Sequence, residues 1–288
     1  MPLELPVEAV VDNDELQLPS DNFEGRTRPR NVPWDDDDLD PEASTYLAAR
    51  HGPEPRPGWV ITEDRARQFE RGLLKTGKEA EVFLVERCVD DRTNLLAAKR
   101  YKSFEDRMFR DDTRYRQSRR TRESRVSRAM ANGTRAGMAF RAQQWVETEF
   151  EVLGQLWGAG VSVPYPVQLL GREIMVEYIG DEQAAAPRLV QFRGELPELA
   201  DLYRQLLVNL ERMVEAGIVH GDLSAYNLLV WQGRLVVIDF PQAVDPVLNP
   251  DGFALLQRDV LNTCGWFSKK GVTTDASAVL GDLIGRVS

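Results

Sequence analysis

The sequence predicts an α+β protein of two lobes, a strand-rich N-terminal half followed by a short helical C-terminal half. Strand-like stretches cluster at 73–76, 82–86 and 95–101. Further on, Leu199, Leu202, Leu206, Leu210 and Met213 fall on one helical face, with Gly217 as the stop. A short connector at 178–181 joins the two regions. Segregated strands and helices argue for an α+β architecture, with a small-ligand cleft between the halves.

Order is expected from Trp59 onward. Thr62-Glu63-Asp64-Arg65 reads as an N-cap with an acidic first turn, opening a short helix to about Leu73. Residues 90–94 turn the chain between the second and third strands. A helix is expected over 143–156. A hairpin follows, 167–170 with 173–178 across Gly171-Arg172. After the Leu199 helix comes a second hairpin, 228–230 with 235–238 around Gln232-Gly233. From Asp251 the pattern reads as two or three short helices. The N-lobe then covers about 59–178 and the C-lobe about 179–288.

The chain has 288 residues, 42% of them hydrophobic, enough for a sizeable core. Cys88 and Cys264 give no disulfide framework, and with His51 and His220 they make no Cys/His metal pattern. A metal would need oxygen ligands, which suits Mg²⁺ or Mn²⁺. No basic-then-apolar leader and no membrane-length apolar run is visible, so the expected location is the cytoplasm, with no membrane partner. The net charge is −10. Residues 1–60, with 14 acidic and 5 basic side chains, account for nearly all of it. Residues 1–58 are acidic, proline-rich and without apolar period, so they are read as a disordered tail.

The chemistry sits in two segments. His220-Gly221-Asp222-Leu223-Ser224-Ala225-Tyr226-Asn227 carries the D-x-x-x-x-N spacing of a protein-kinase catalytic loop. There Asp222 would orient or deprotonate the nucleophile, and Asn227 would offer an oxygen to Mg²⁺. In Ile238-Asp239-Phe240-Pro241-Gln242, Asp239 ends an apolar strand, a costly place for a carboxylate without a partner or metal. Two carboxylates and an amide oxygen at neighbouring strand ends can hold Mg²⁺ and the terminal phosphates of ATP.

Lys99 ends the apolar strand 95–101 and is the candidate phosphate-contacting lysine. Its helix partner is Glu149 or Glu147. These are two residues apart, roughly 200° round a helix, so both cannot face the cleft. Thr76, Gly77, Lys78 and Val82 belong to a one-glycine turn that could cover phosphates, though the turn alone is weak evidence.

Together these segments resemble the RIO family of atypical protein kinases. Thr76-Gly77-Lys78-Glu79-Ala80-x-Val82 resembles its nucleotide loop, and Ala98-Lys99-Arg100-Tyr101-Lys102 its lysine strand. The two chemical segments match its catalytic and metal loops. Arg258-Asp259-Val260-x-Asn262 and Lys269-Lys270-Gly271-Val272 are also similar. The resemblance covers roughly residues 70–275 and favours the type lacking an N-terminal winged helix. It implies a two-lobed kinase-like fold, ATP and Mg²⁺ (or Mn²⁺) binding, and serine/threonine kinase or ATPase activity. It also implies an aspartyl-phosphate on Asp239. By position, Lys99 would bind phosphates, Glu149 would hold it, and Asp222 and Asp239 would be catalytic. Asn227 and Asp239 would hold the metal. Residues 175–178, with Met175, Glu177 and Tyr178, would form the hinge beside adenine. Glu81 departs from the pattern and would add negative charge near the phosphates. Gly221 and Pro241 depart from ordinary activation-loop kinases, which makes regulation by activation-loop phosphorylation a poor expectation.

Residues 100–141 hold 13 basic and 5 acidic side chains with interleaved aromatics. Three readings stay open: a solvated loop, a contact to rRNA or the small ribosomal subunit, or docking of the acidic tail. The protein substrate is not legible. Two other functions also stay open. One is a small-molecule phosphotransferase of the aminoglycoside or choline kinase type. The other is an ATP-bound assembly factor with little turnover.

Overall fold

The computed structural model describes residues 42–77, 79–102 and 135–287, with backbone only for 135–144. Two short strands come first, β1 (Glu42–Ala43) and β2 (Arg50–His51). Three ten-residue strands follow: β3 (Arg67–Thr76), β4 (Ala80–Val89) and β5 (Arg92–Tyr101). Helix α1 (Arg135–Gly158) leads to β6 (Pro166–Leu170) and β7 (Glu173–Glu177). The second half contains α2 (Leu196–Glu215), the hairpin β8 (Leu228–Trp231) and β9 (Arg234–Val237), then α3 (Gly252–Lys269) and α4 (Ala276–Arg286). Among the described residues no helix is long and apolar enough to cross a membrane.

The first half is one antiparallel sheet in the order β1-β3-β4-β5-β7-β6-β2. Its side chains alternate between two faces. One face, with Val85, Leu96, Ala98 and Met175, packs under Tyr46, Val60 and Tyr165. The other, with Tyr101 and Ile174, packs against Val146 and Phe150 of α1. The larger second core joins α2, α3 and the β8–β9 hairpin around Leu206, Leu210, Leu235 and Phe267. In α2 the expected leucines and Met213 are all buried, as a 3.6-residue period requires.

Two expectations fail in the first half. No helix runs from Thr62 to Leu73; β3 starts at Arg67 and pairs with β4 over its length. The capping signature is a local preference of about 1 kcal/mol. The β3–β4 ladder hydrogen bonds, with those from Arg87 to Gln68, outweigh it. Nor does order begin at Trp59. Residues 42–58, read as part of a disordered tail, carry β1 on β3 and β2 on β6. Tyr46 is buried, and its ring stacks on His51 at 4.0 Å. Residues 1–41 and most of the arginine-rich stretch, 103–134, lie outside the described residues.

This N-terminal strap is fastened to a buried cation. Arg87, fully buried, donates to Gln68 Oε1, Gln168 Oε1 and the carbonyl of Ile61, with the Tyr46 ring 5.7 Å away. These acceptors are neutral, and burial lowers its guanidinium pKa to about 10. Desolvation is thus repaid by hydrogen bonds rather than by a carboxylate.

Candidate active site

Register decides which side chains share the cleft. Lys75 pairs with Val82, and Val82 with Lys99. Directly opposed residues point to the same face, so these three are neighbours. Lys99 also opposes Ile174, and Ala97 opposes Val176. Ala97 and Val176 therefore lie on the lysine's side of the sheet.

Met175 does not. It opposes Ala98, is buried on the far face, and touches the Arg87 guanidinium through its sulfur at 3.5 Å. Val176, within the expected hinge stretch 175–178, is the side chain on the cleft face. Glu177 opposes Leu96, also on the far face, and accepts the Tyr165 N–H at 3.1 Å. Its carboxyl is pushed up by burial. Its N–H is also engaged, donating to the Tyr165 carbonyl at 2.9 Å. Tyr178 is partly buried, its N–H bonded to the Leu95 carbonyl at 3.4 Å. Glu81 also faces away and pairs with Lys102 at 3.4 Å, so it adds no charge to the phosphate side.

Lys99 is the centre of the site. Its ammonium lies 2.7 Å from Glu149 Oε1 and 3.0 Å from Asp239 Oδ1. Packing decides between the two candidate glutamates: Glu149 is buried behind Phe150 and Val146. Burial alone would depress the Lys99 pKa, but the two carboxylates override it and hold the ammonium charged. Burial pushes the Glu149 carboxyl up, and Lys99 offsets this only in part. Its Oε2 is buried without a hydrogen-bond partner. Asp239 is held below the usual carboxylate range. Burial would raise it, but Lys99 and Lys75, the latter 3.9 Å away, prevail. Sequence reasoning missed Lys75. It lies in the expected strand stretch 73–76, but only the pairing of that strand with β4 and of β4 with β5 places it beside Asp239.

The segments 220–227 and 238–242 are tied together backbone to backbone. Ile238 N–H donates to the Asn227 carbonyl at 3.0 Å. The Asn227 amide donates to the Asp222 carbonyl at 2.9 Å, which leaves its side-chain oxygen as the outward acceptor. His220 bridges both segments. Its Nδ1 accepts from Asp222 N–H at 3.3 Å, so its Nε2 carries the proton and donates to the Ile238 carbonyl at 3.0 Å. Burial depresses its pKa, which keeps the ring neutral and this tautomer fixed. Gly221 has φ +80°, and an added Cβ would meet the Gln242 carbonyl at 2.5 Å. The two segments approach too closely for any side chain there. Asp239 itself has φ +73°, a left-handed conformation that costs a non-glycine residue about 1–3 kcal/mol. Asp222 stays exposed, its carboxylate open to an acceptor.

A residue that sequence chemistry left without a role holds the 220–227 loop in place. Asp259, buried on α3, accepts Gly221 N–H at 2.7 Å and Leu223 N–H at 2.8 Å. Burial pushes its carboxyl up to about 6 despite those two bonds. Arg258 reinforces the loop through the Gly221 carbonyl.

Thr76 and Gly77 sit at the β3–β4 turn, where Gly77 N–H bonds the Ala80 carbonyl at 2.8 Å. Lys78 lies outside the described residues. The oxygen donors of Asp239 and Asn227 suit a hard divalent cation. Among the described residues no cluster of three or more His, Cys, Asp or Glu side chains could hold a metal. Few protein ligands is what Mg²⁺ accepts when phosphates and water complete its shell.

The comparisons agree with this geometry. A RIO domain family model matches residues 82–279. The RIO-type serine/threonine-protein kinase Rio1 of Haloferax volcanii is 35% identical over 208 residues, covering 72% of this chain and 66% of that protein. Mouse serine/threonine-protein kinase RIO3 is 35% identical over 132 residues, 46% of this chain and 25% of its own length. The chain therefore spans between a quarter and about two thirds of these relatives. Among solved structures, the Rio2 kinase–ADP/Mg²⁺–phosphoaspartate complex from Chaetomium thermophilum superposes with a TM-score of 0.54. It is 20% identical and covers 75% of this chain and 61% of that one. The two-lobed, kinase-like α+β fold expected from the sequence is the fold observed. With the family model spanning most of the ordered chain and both signature segments in register, this chain belongs to the RIO domain family.

Proposed function

We propose that this chain binds ATP in the cleft beneath β3–β5 and transfers its γ-phosphoryl group, as a RIO-type serine/threonine kinase or ATPase. The observation that carries the reading is Lys99, held between Glu149 at 2.7 Å and Asp239 at 3.0 Å. A lysine fixed by a helix glutamate and poised beside the metal-loop aspartate is the arrangement kinase chemistry uses for the α/β-phosphates.

Each residue then has a task. Lys99 leaves Asp239 for the phosphates while Glu149 keeps it in place. Thr76, Gly77, Lys78 and Val82 cover the nucleotide, with Ala97 and Val176 against the adenine. Asp222 orients or deprotonates the attacking hydroxyl or water. Asn227 and Asp239 hold Mg²⁺ (or Mn²⁺), which supplies charge neutralisation at the phosphate oxygens. Lys75 adds positive potential on the same side. The Chaetomium Rio2 complex contains a phosphoaspartate. Asp239 is the proposed acceptor here: a carboxylate oxygen bonds to the γ-phosphorus as the bond to ADP breaks. The cytoplasm, where ATP is supplied, is the proposed location. The arginine-rich stretch 100–141 is the proposed contact to rRNA or the small ribosomal subunit.

The test is incubation with γ-labelled ATP and Mg²⁺, alongside Asp222→Ala and Asp239→Ala. Phosphate release or protein labelling should fall at least about a hundredfold in Asp222→Ala. Hydroxylamine-labile label should vanish in Asp239→Ala. Wild-type turnover no higher than Asp222→Ala would refute catalysis and favour an ATP-bound assembly factor. For the RNA contact, a form lacking 103–134 that binds rRNA with the same affinity and salt slope would refute it.

A further inference from the structure

Strand β3 is irregular where it enters the cleft. Leu73 pairs with Phe83, but Lys75, not Leu74, pairs with Val82. One extra residue is thus inserted at Leu74. The insertion decides where Lys75 points. An unbroken ladder from Leu73 onward would set Lys75 opposite Glu81, whose side chain faces away from the cleft. The bulge instead sets it opposite Val82, on the face that carries Lys99. Bulges re-aim side chains in this way beside active sites.

So aimed, the Lys75 ammonium lies 3.9 Å from Asp239 Oδ2, while Lys99 takes Oδ1 at 3.0 Å. The two lysines therefore hold different oxygens of one carboxylate. Their settings differ. Lys99 is mostly buried and is also bonded to Glu149. Lys75 is 46% exposed, and among the described residues Asp239 is its one ion-pair partner. The other charges that act on it, Arg188 and Lys99, are both cations. Lys75 thus stands in a place short of anions and open to a ligand in the cleft.

Phosphoryl transfer onto Asp239 drives a carboxylate against a phosphate, and the repulsion between these two anions must be offset. When Lys99 moves to the nucleotide phosphates, Oδ1 is freed and Oδ2 keeps its cation. We propose that Lys75 is a further catalytic residue of that reaction, holding Asp239 through Oδ2 while Oδ1 attacks, then binding the phosphoryl group of the aspartyl phosphate. The proposal rests on Asp239 as the phosphoryl acceptor. An Oδ1 lone pair forms the bond to the γ-phosphorus. The bond from that phosphorus to the bridging oxygen breaks, and its electron pair leaves on ADP. In hydrolysis water adds at phosphorus and one of its protons passes to Asp222. The P–Oδ1 bond breaks, and its electron pair returns to the carboxylate. In both steps Lys75 offsets the charge that the carboxylate and the phosphoryl group bring together.

The test is single-turnover labelling of the full chain with γ-labelled ATP and Mg²⁺, reading the hydroxylamine-labile label in wild type, Lys75→Met and Lys75→Arg. At saturating ATP, Lys75→Met should form the label at least about tenfold more slowly, as loss of one charge-stabilising group does. Its ATP affinity should stay within about threefold, because the lost interaction is made chiefly in the transition state. Lys75→Arg keeps the charge and should recover most of the rate. Lys75→Met should melt within about 3 °C of wild type, since a half-exposed ion pair contributes little to stability. A wild-type rate in Lys75→Met, a loss that saturating ATP abolishes, or a Lys75→Arg rate no better than that of Lys75→Met would overturn the proposal. A wild type that forms no label overturns the acceptor reading and the proposal with it, a result distinct from equal labelling of wild type and Lys75→Met.

Discussion

Lys99→Met removes the cation shared by the buried Glu149 carboxylate and the half-buried Asp239 carboxylate. The side chains of Lys99 and Glu149 are 19% and 4% exposed, so little water can replace the lost partner. Removing one member of such a pair typically costs about 3–5 kcal/mol. Two features favour the lower end. Lys75 still faces Asp239, and the Glu149 carboxyl is already displaced upward by burial and can take up a proton. A loss of about 3 kcal/mol is expected, or about 6–12 °C in Tm for a domain of this size. Without Lys99 the Glu149 pKa rises further above its ordinary 4.5. The native state of the variant then binds more protons than the unfolded chain just above that value. The deficit should therefore shrink as pH falls from 8 toward 5. Adding Glu149→Leu should recover about 2 kcal/mol, measurable as coupling in a double-mutant cycle. Urea unfolding without nucleotide reads all three quantities. A deficit below about 1 kcal/mol at pH 8, or one independent of pH, would refute the view of Lys99 as a compensating buried charge.

Gly221→Ala should cost about 2 kcal/mol or more in chemical denaturation, because φ +80° and the Gln242 carbonyl at 2.5 Å leave no room for a methyl group. Asp259→Asn puts an amide N–H against one of the two loop N–H donors and should lose about 1–3 kcal/mol at pH 8. Wild-type Asp259 titrates near 6 when folded, against its ordinary 3.8. The folded state thus holds the extra proton, and this group's contribution is largest at low pH and lost as pH rises through about 4–6. Wild type should show that slope in urea titrations, and Asp259→Asn should lack it. Arg87→Met strands the acceptors of Gln68 and Gln168 and should cost about 1–3 kcal/mol. Limited proteolysis should show earlier cutting within 42–61 in that variant.

The parts of the site that were legible in the sequence are those fixed by short-range geometry. The spacing from Asp222 to Asn227 and the strand-end position of Asp239 survive intact because each loop sets its own side chains. Helical geometry reduced the choice to Glu147 or Glu149, but only packing of Val146 and Phe150 on the sheet selects Glu149. Strand phase was the blind spot. Ile174-Met175-Val176 is a continuous apolar run, so nothing local says which member faces the cleft. Arg87 looked like an ordinary charged strand residue; its partners Gln68, Ile61 and Gln168 come from distant segments. The strap 42–61 is anchored by few apolar side chains, mainly Tyr46, Val60 and Ile61. In an acidic, proline-rich stretch they carry no period to detect. The Thr62–Arg65 capping signature was a real local preference that a partner strand overrode.

The most direct measurement of the central claim is equilibrium binding of ATP, with and without Mg²⁺, to wild type, Lys99→Met and Asp239→Asn. The account predicts that Mg²⁺ tightens ATP binding to wild type. Asp239→Asn should remove most of that Mg²⁺-dependent gain, and Lys99→Met should weaken ATP about tenfold or more with or without the metal. ATP affinity unchanged in both variants would contradict it.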